Sequence, residues 1–396
     1  MKILIVAPLF PPDPTGSSVF AEQQAREFVR QGHDVMVLAN RPSRRLRLES
    51  PQVSLADLRM IRLRNTRINL GKITWHYGIP FSTPGLLGRK FKDELGSFKP
   101  QVVLIHSTLF DLSLWALRHC ARQKIPAVLV THTALWHDHP LINKVMHWYG
   151  TRLLGPLVRN SRAKVISVDK WTRDNAVSLF ARPESTTVIP ISVPIGKMTL
   201  GNGERIRKKH SISGSPVILS LGHVIPLRNR VNLVRALPIL ITKYPSLTVL
   251  VVGMVNDDQF LQLADDLGVR NHIIAVGAVP HAEIRDYLAI ADTEIHDLDG
   301  RGLGITSIEA MDAGVPIVAW INDRNYPQLS LGSFGVSGFI EDCEPQTLAK
   351  AVIRMLDDQS FRDEVLQTQR RILAEVFSEK SVAEQYLRIL SSDLQY

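Results

Sequence analysis

Apolar residues along this chain gather in short unbroken runs, and the stretches between the runs space their apolar positions with a helical period. KILIVAP (2–8), DVMVLAN (34–40), QVVLIHS (101–107), AVLVTHT (127–133) and KVISVDK (164–170) are runs rich in Val, Ile and Leu, each of strand length. SSVFAEQQAREFVRQG (17–32) is amphipathic and stops at Gly32, and SLWALRHCARQ (113–123) reads as a second helix. Strands buried on both faces appear as continuous apolar runs, and helices between them make the crossovers of a parallel sheet.

The same grammar restarts at PVILSLGHV (216–224). Helix-like VNLVRALPILITKY, DQFLQLADDLG and HAEIRDYLAIA alternate with strand-like LTVLVVGM, HIIAVGAV, TEIHDL and PIVAW, and PQTLAKAVIRMLDD closes the series. VIPISVPIGKMTLGNGERIRKKHSISGS, rich in Pro, Gly, Ser and charge, lies between the two series and reads as linker plus domain edge. The expectation is two doubly wound α/β domains, 1–195 and 196–375. Ligands of such sheets bind outside the carboxyl ends of the strands, so both domains are expected to face a central cleft with their strand-end loops.

Length agrees with this division, since 396 residues exceed what one ordinary core organises. A 45% hydrophobic and 21% charged composition is that of a globular chain. The two cysteines, Cys120 and Cys343, have neither zinc nor disulfide-framework spacing, which suits a reducing cytoplasm. MKILIVAPLF runs straight into Pro11, Pro12 and Pro14 and so reads as a buried strand entering a loop, not as a signal peptide. No apolar run is long enough for a spanning helix.

Charge is uneven. Residues 1–200 hold 28 Lys+Arg against 13 Asp+Glu, a balance of +15, and the remainder holds 19 against 25, a balance of −6. Such asymmetry directs the first half toward an anionic surface. GKITWHYGIPFSTPGLLGRKFK (71–92) mixes Trp75, Tyr77, Phe81, Leu86 and Leu87 with Lys72, Arg89, Lys90 and Lys92, a composition suited to peripheral contact with an anionic membrane. No nucleic-acid-binding motif accompanies the charge, and nucleic acid is not expected as a partner.

Four groups of chemically capable residues stand at the expected strand ends. In PPDPTGSS (11–18) Gly16 directly precedes a helix, where backbone amides can hold a phosphate; the alternative is a plain turn capped by Ser17 or Ser18. In LGHVIPLRNR (221–230) a strand-ending glycine is followed by His223, Arg228 and Arg230, and a guanidinium fork suits phosphate as well as it suits solvent. RGLGITSIEAMDAGVP (301–316) opens a helix after Gly302, Leu303 and Gly304. Those glycines admit a ligand to the backbone, the helix dipole favours negative charge, and Glu309 can accept hydrogen bonds from paired sugar hydroxyls.

In THTALWHDHP (131–140) His132 stands where a strand runs out and suits a substrate contact or a proton transfer. His137, Asp138 and His139 are adjacent, and sequence neighbours rarely converge on one ion, so no metal and no cofactor are expected. Neither GxGxxG after the first strand nor GxxxxGK[ST] occurs, which argues against a dinucleotide-binding dehydrogenase and a P-loop NTPase.

In this order the motifs resemble the retaining, nucleotide-sugar-dependent glycosyltransferases of family 4. MKILIVAPLFPPDPTGSSVFAEQQAREFVRQGHDVMVLANRP is similar to the family's first strand, glycine loop, helix and second strand. QVVLIHS and VLVTHTALW resemble its two His-bearing strand ends, TTVIPISVP its hinge, ITSIEAMDAGVPIVA its signature helix and FSEKSVAEQYLRIL its closing helix. The resemblance implies a GT-B fold, with two Rossmann-like domains and a C-terminal helix (376–396) crossing back to the first. It implies that Gly16 lines the diphosphate, His132 contacts the transferring sugar, Arg228 replaces a phosphate-binding lysine, Glu309 holds the ribose, and Gly302 to Gly304 face the sugar or diphosphate. The implied chemistry is metal-independent retaining transfer from a nucleotide-sugar to a glycan or a polyprenyl- or lipid-linked acceptor at the cytoplasmic membrane face.

Three positions depart from the family pattern. His223 stands where an arginine is usual, the hinge carries Ile191, Ser192 and Pro194, and Arg301 replaces the first acid of the E-x7-E pair. Asp299, reaching across Gly300, is a candidate for the missing acid; Arg301 is instead a candidate second cation over the diphosphate. These departures motivate a competing reading, a non-catalytic GT-B subunit that binds a glycan or a partner transferase. A sugar-nucleotide epimerase on the same fold fits the signature helix less well.

Overall fold

A computed structural model describes residues 1–13, 15–42, 58–68, 79–82, 89–137, 139–224, 228, 230–296, 303–321 and 334–392. The chain forms two compact units. The first comprises Met1–Ser192 with Glu379–Tyr396, and the second comprises Val193–Ser378.

Strands of the first unit are β1 (Lys2–Ala7), β2 (Asp34–Asn40), β3 (Arg59–Leu63), β4 (Thr66–Ile68), β5 (Ile79–Phe81), β6 (Val102–His106), β7 (Ala127–Thr131), β8 (Lys164–Ser167) and β9 (Thr186–Val188). Among the described residues, seven of them form a parallel sheet in the order β3-β2-β1-β6-β7-β8-β9, while β4 and β5 pair antiparallel. The order reverses between β1 and β6, so the loops after these two strands flank the sheet's switch point.

Alternation along β1 shows why both faces are covered. Leu4 and Val6 enter one buried cluster, with residues from α2 (Arg89–Phe98) and α3 (Asp111–Gln123). Ile3, Ile5 and Ala7 enter the opposite cluster, with Phe20, Ala21, Ala25 and Phe28 of the helix Gly16–Arg30, here α1. Thr15 caps α1, its Oγ1 accepting from Ser18 N at 3.2 Å, so neither Ser17 nor Ser18 takes that role.

Beyond β7 come α4 (Pro140–Trp148), a π-helical turn (Tyr149–Leu154), α5 (Gly155–Ser161) and α6 (Lys170–Leu179). KVISVDK is therefore only partly strand, because Asp169 leaves the sheet to cap α6, its Oδ1 accepting from Thr172 N at 2.6 Å.

Second-unit strands are β10 (Val217–Leu221), β11 (Thr248–Val252), β12 (Ile273–Gly277), β13 (Thr293–His296), β14 (Ile317–Trp320) and β15 (Phe339–Ile340), all parallel, in the order β12-β11-β10-β13-β14-β15. Here the switch point lies between β10 and β13. The helices are α7 (Gly203–Lys209), α8 (Val231–Lys243), α9 (Gln259–Asp266), α10 (Ile284–Leu288), α11 (Ile305–Asp312), α12 (Pro345–Asp357) and α13 (Gln359–Ile372). The stretch 188–215 is more than linker: it contains α7, capped by Asn202 Oδ1, which accepts from Arg205 N at 3.3 Å. Asp312, at the end of α11, draws in the chain that enters the unit, with Oδ1 accepting from Gly196 N at 2.7 Å and Oδ2 from Met198 N at 2.9 Å.

The last helix, α14 (Glu379–Ser392), belongs to the first unit. It buries Val382, Ala383, Tyr386 and Leu390 against α1, and side chains such as Val382 and Leu390 contribute about 1.5–3 kcal/mol each when fully buried. Segments 69–78 and 83–88, where the sequence places a membrane contact, lie outside the described residues.

Candidate functional site

In the second unit, β10 ends at Leu221 and the chain turns at Gly222 with φ +104°, a conformation that favours glycine. Arg230 sits just ahead of α8 and is buried. Its Nε donates to Ser220 Oγ at 2.8 Å, Nη1 to the Arg228 carbonyl at 2.6 Å, and Nη2 to the carbonyls of Leu221 and Gly222, each at 3.0 Å. Its guanidinium is thus bonded to the Ser220 hydroxyl and to three carbonyls at the strand end and in the loop. Arg230 is a clamp that shapes the loop.

Arg228 is placed differently. Its Nη1 lies 3.5 Å from where a side chain on Gly222 would begin and 3.5 Å from the corresponding point at Gly304. Both positions are within van der Waals reach of this guanidinium, and the two glycines come from loops on either side of the switch point. Thr306 Oγ1 is buried without a hydrogen-bond partner among the described residues and lies 3.8 Å from the Gly222 side-chain position. A fixed cation, an unpaired hydroxyl and the start of α11 therefore share one pocket-like space, the arrangement that attracts an oxyanion.

Two buried residues that sequence reading passed over hold the glycine loop. Gly304 N donates to His296 Nε2 at 3.1 Å. A nitrogen that accepts carries no proton, so a neutral His296 is protonated on Nδ1, which faces Glu294 Oε1 at 3.5 Å. Glu294 Oε2 in turn accepts from Ser307 Oγ at 2.9 Å. Strand β13 thus ties down both the residue before α11 and its first turn. TEIHDL offers a signal for this, two polar residues on alternate positions of an otherwise buried strand.

Glu309 is the fifth residue of α11, just over one turn in, with one oxygen engaged and one not. Oε1 meets His281 Nε2 at 2.8 Å, while Oε2 is buried without a partner among the described residues. The Glu309 carboxylate, first by hydrogen bonding and then by charge, raises the His281 pKa above its ordinary value against the opposing pull of desolvation. Leu303 is buried, Gly304 half-buried and His223 exposed. Asp299, Arg301 and Gly302 lie outside the described residues.

In the first unit, His106 ends β6 and His132 follows β7. His106 Nδ1 is 3.0 Å from His132 Nε2, and the rings stack with centroids 5.3 Å apart at 16°. Phe20 of α1 presses edge-on against both, at 6.0 and 5.7 Å, and itself meets Tyr386 of α14 at 6.1 Å. Burial pushes His132 down to about 4 and holds His106 well below the usual imidazole range, the latter also through His132. The pair is neutral near pH 7, so one ring donates and the other accepts. His106 Nε2 is buried without a partner among the described residues.

Gly16 is exposed as the first residue of α1, beside a buried loop acid. Asp13 pairs with Arg67 at 3.3 Å, and desolvation raises its pKa despite the lowering effects of Arg67 and Arg62. Arg62 donates to the carbonyls of Pro11 and, at 3.1 Å, of Asn40. His137 and His139 spend ring nitrogens on backbone amides, accepting from His139 N at 2.9 Å and from Leu141 N at 3.3 Å; Asp138 lies outside the described residues. Among the described residues, no three His, Cys, Asp or Glu side chains gather as a metal would need.

Residues 14–196 match the model of "Glycosyltransferase Family 4" and residues 202–371 that of "Glycosyl transferases group 1". The chain is 27% identical over 212 residues, 51% of its own length and 53% of the relative's, to the GDP-mannose-dependent alpha-(1-6)-phosphatidylinositol monomannoside mannosyltransferase of Mycolicibacterium smegmatis. It spans about half the length of that relative. An uncharacterized glycosyltransferase of Methanocaldococcus jannaschii is 22% identical over 98% of this chain and 97% of its own. Among solved structures, Anabaena HepE in complex with UDP superposes with a TM-score of 0.68 over 99% of this chain and 100% of its own, at 18% identity. The two parallel-sheet units are those of the GT-B fold.

Proposed function

This chain belongs to the family 4 glycosyltransferases, and from that premise we propose that it moves a sugar from a nucleotide-sugar donor to a glycolipid-type acceptor. The observation that carries the reading is the second unit's switch point. There Arg228 stands against Gly222 and Gly304 at the head of α11, and Glu309 offers an unpartnered carboxylate oxygen. A nucleoside diphosphate needs a cation and amide donors for its phosphates and an acceptor for its ribose hydroxyls, and the second unit supplies each.

Arg228 and the amides at the start of α11 offset the charge that grows on the departing diphosphate, a stabilisation realised as the sugar leaves. His132 makes the contact to the sugar that the family resemblance implies, through a neutral imidazole. The resemblance also supports transfer with retention at the anomeric carbon, with no metal required. GDP-mannose is the first donor to test, because the Mycolicibacterium relative is GDP-mannose-dependent. That relative's phosphatidylinositol acceptor supports a lipid-linked acceptor here, reached from the cytoplasmic membrane face.

Release of nucleoside diphosphate from a panel of sugar nucleotides, with and without a phosphatidylinositol mannoside acceptor, tests the reading. Turnover with one donor, abolished by Glu309→Ala, is expected. Absence of donor binding and turnover, with Arg301→Glu no better, favours the non-catalytic GT-B subunit that Arg301 motivates.

A further inference from the structure

His106 is a buried titratable side chain with no part in the diphosphate site. It ends β6 with 1% of its surface exposed, and its Nδ1 lies 3.0 Å from Nε2 of His132, the residue that follows β7. The two rings are within 16° of parallel, and Phe20, itself buried, packs edge-on against both. His132 is only half-buried, so it is the member of the pair that a ligand can reach. With Nε2 held by His106, the nitrogen left for that ligand is Nδ1.

We propose that His106 is a positioning residue that fixes the tautomer of His132, so that His132 presents an Nδ1–H donor, and no proton acceptor, to the transferring sugar. The far nitrogen of His106 decides the direction of the hydrogen bond. His106 Nε2 is buried without a partner among the described residues. A neutral imidazole carries one N–H. On Nε2 that proton would be a buried donor with nothing to accept it, and orphaned buried N–H groups are rarer than acceptors left short. The proton is therefore on His106 Nδ1, which donates to His132 Nε2. A nitrogen that accepts is bare, so the single proton of His132 is on Nδ1. Both rings are neutral near pH 7, because burial holds their pKa values down.

The sequence allows His132 either substrate contact or proton transfer, and this tautomer selects the first. A neutral Nδ1–H has no free lone pair in the ring plane, so it donates to a sugar oxygen and cannot withdraw a proton from one. His132 then holds the sugar, and His106 holds His132. The tautomer stands on the first unit alone, whereas its role toward the sugar rests on the transferase reading.

Long-range 1H–15N correlation spectra of the full chain, labelled with 15N at histidine, read which ring nitrogen carries the proton. Signals lost in His106→Asn and in His132→Asn identify the two rings. At pH 7 both are expected to be protonated on Nδ1 and bare on Nε2. A proton on Nε2 of either ring, or a charged ring, would overturn the proposal. In His106→Leu the His132 proton is expected to shift toward Nε2, a change that a merely structural role for His106 would not produce. That variant lowers kcat/KM for the nucleotide-sugar about tenfold, the worth of one hydrogen bond. His106→Asn, whose amide nitrogen takes about the place of Nδ1, retains most of the rate. Neither changes the affinity for nucleoside diphosphate, which the second unit holds. Equal rates in the wild type and His106→Leu, or equal losses in the Leu and Asn variants, would also overturn the proposal. The expected spectra without turnover of any donor would uphold the tautomer and overturn the transferase reading, together with the sugar contact that rests on it.

Discussion

Phe20 touches both halves of a neutral histidine pair, His106 and His132, with ring centroids 6.0 and 5.7 Å away. The pair is thereby walled off from water on one side, which is why both rings resist protonation. An unfolded histidine titrates near pH 6.5. Between that value and the folded value of about 4, the unfolded chain binds more protons, so the pair's contribution is present above pH 6.5 and is lost as pH falls through this window. Urea unfolding at pH 7 and pH 5 measures this, and His132→Gln is expected to lose less stability between the two pH values than the wild type.

Arg228 and Arg230 separate cleanly. Arg230→Ala strips a buried donor set from four acceptors, a loss of about 1–3 kcal/mol, and lowers Tm by about 2–4 °C for each kcal/mol. Arg228→Ala removes the stabilisation that a nucleoside diphosphate confers. Thermal unfolding with and without GDP distinguishes them.

Gly304→Ala would set a methyl carbon 2.6 Å from His296 Nε2, a distance that forces the ring or the loop to move. The hydrogen bond from Gly304 N is then lost along with the glycine's position beside Arg228. The expected outcome is donor affinity lowered tenfold or more with the fold retained, read by calorimetric titration and circular dichroism.

His281 is held above its ordinary pKa by Glu309, so the interaction stabilises the fold fully below pH 6.5 and is lost as pH rises through the raised value. In an NMR titration His281 is expected to titrate above pH 6.5 in the wild type and to return to the ordinary range in Glu309→Gln.

Local patterns carried most of the fold to the page. Strand β1 is an unbroken apolar run because both its faces are covered, and α1 announces itself by Phe20, Ala21, Ala25 and Phe28. Short elements with little periodicity escaped: β3 mixes Arg59 and Arg62 with its apolar positions, and α7 is seven residues amid Gly and Ser. At the candidate site, Arg228 and Gly304 are legible as residue types in strand-end loops and Glu309 as an acid in the helix that follows. That Arg230 is a clamp was not, because a buried and a solvated arginine read alike until the carbonyls around it are known. Glu294, His296 and Phe20 act by holding other residues, and only their three-dimensional neighbours reveal it.

Calorimetric titration of GDP and UDP, and of their mannose and glucose conjugates, into the full chain tests the central claim most directly. One nucleotide is expected to bind the wild type at micromolar affinity, about −8 kcal/mol, and to lose at least tenfold on Glu309→Ala and on Arg228→Ala. Binding that neither substitution alters, or no binding by any of these nucleotides, would contradict the account.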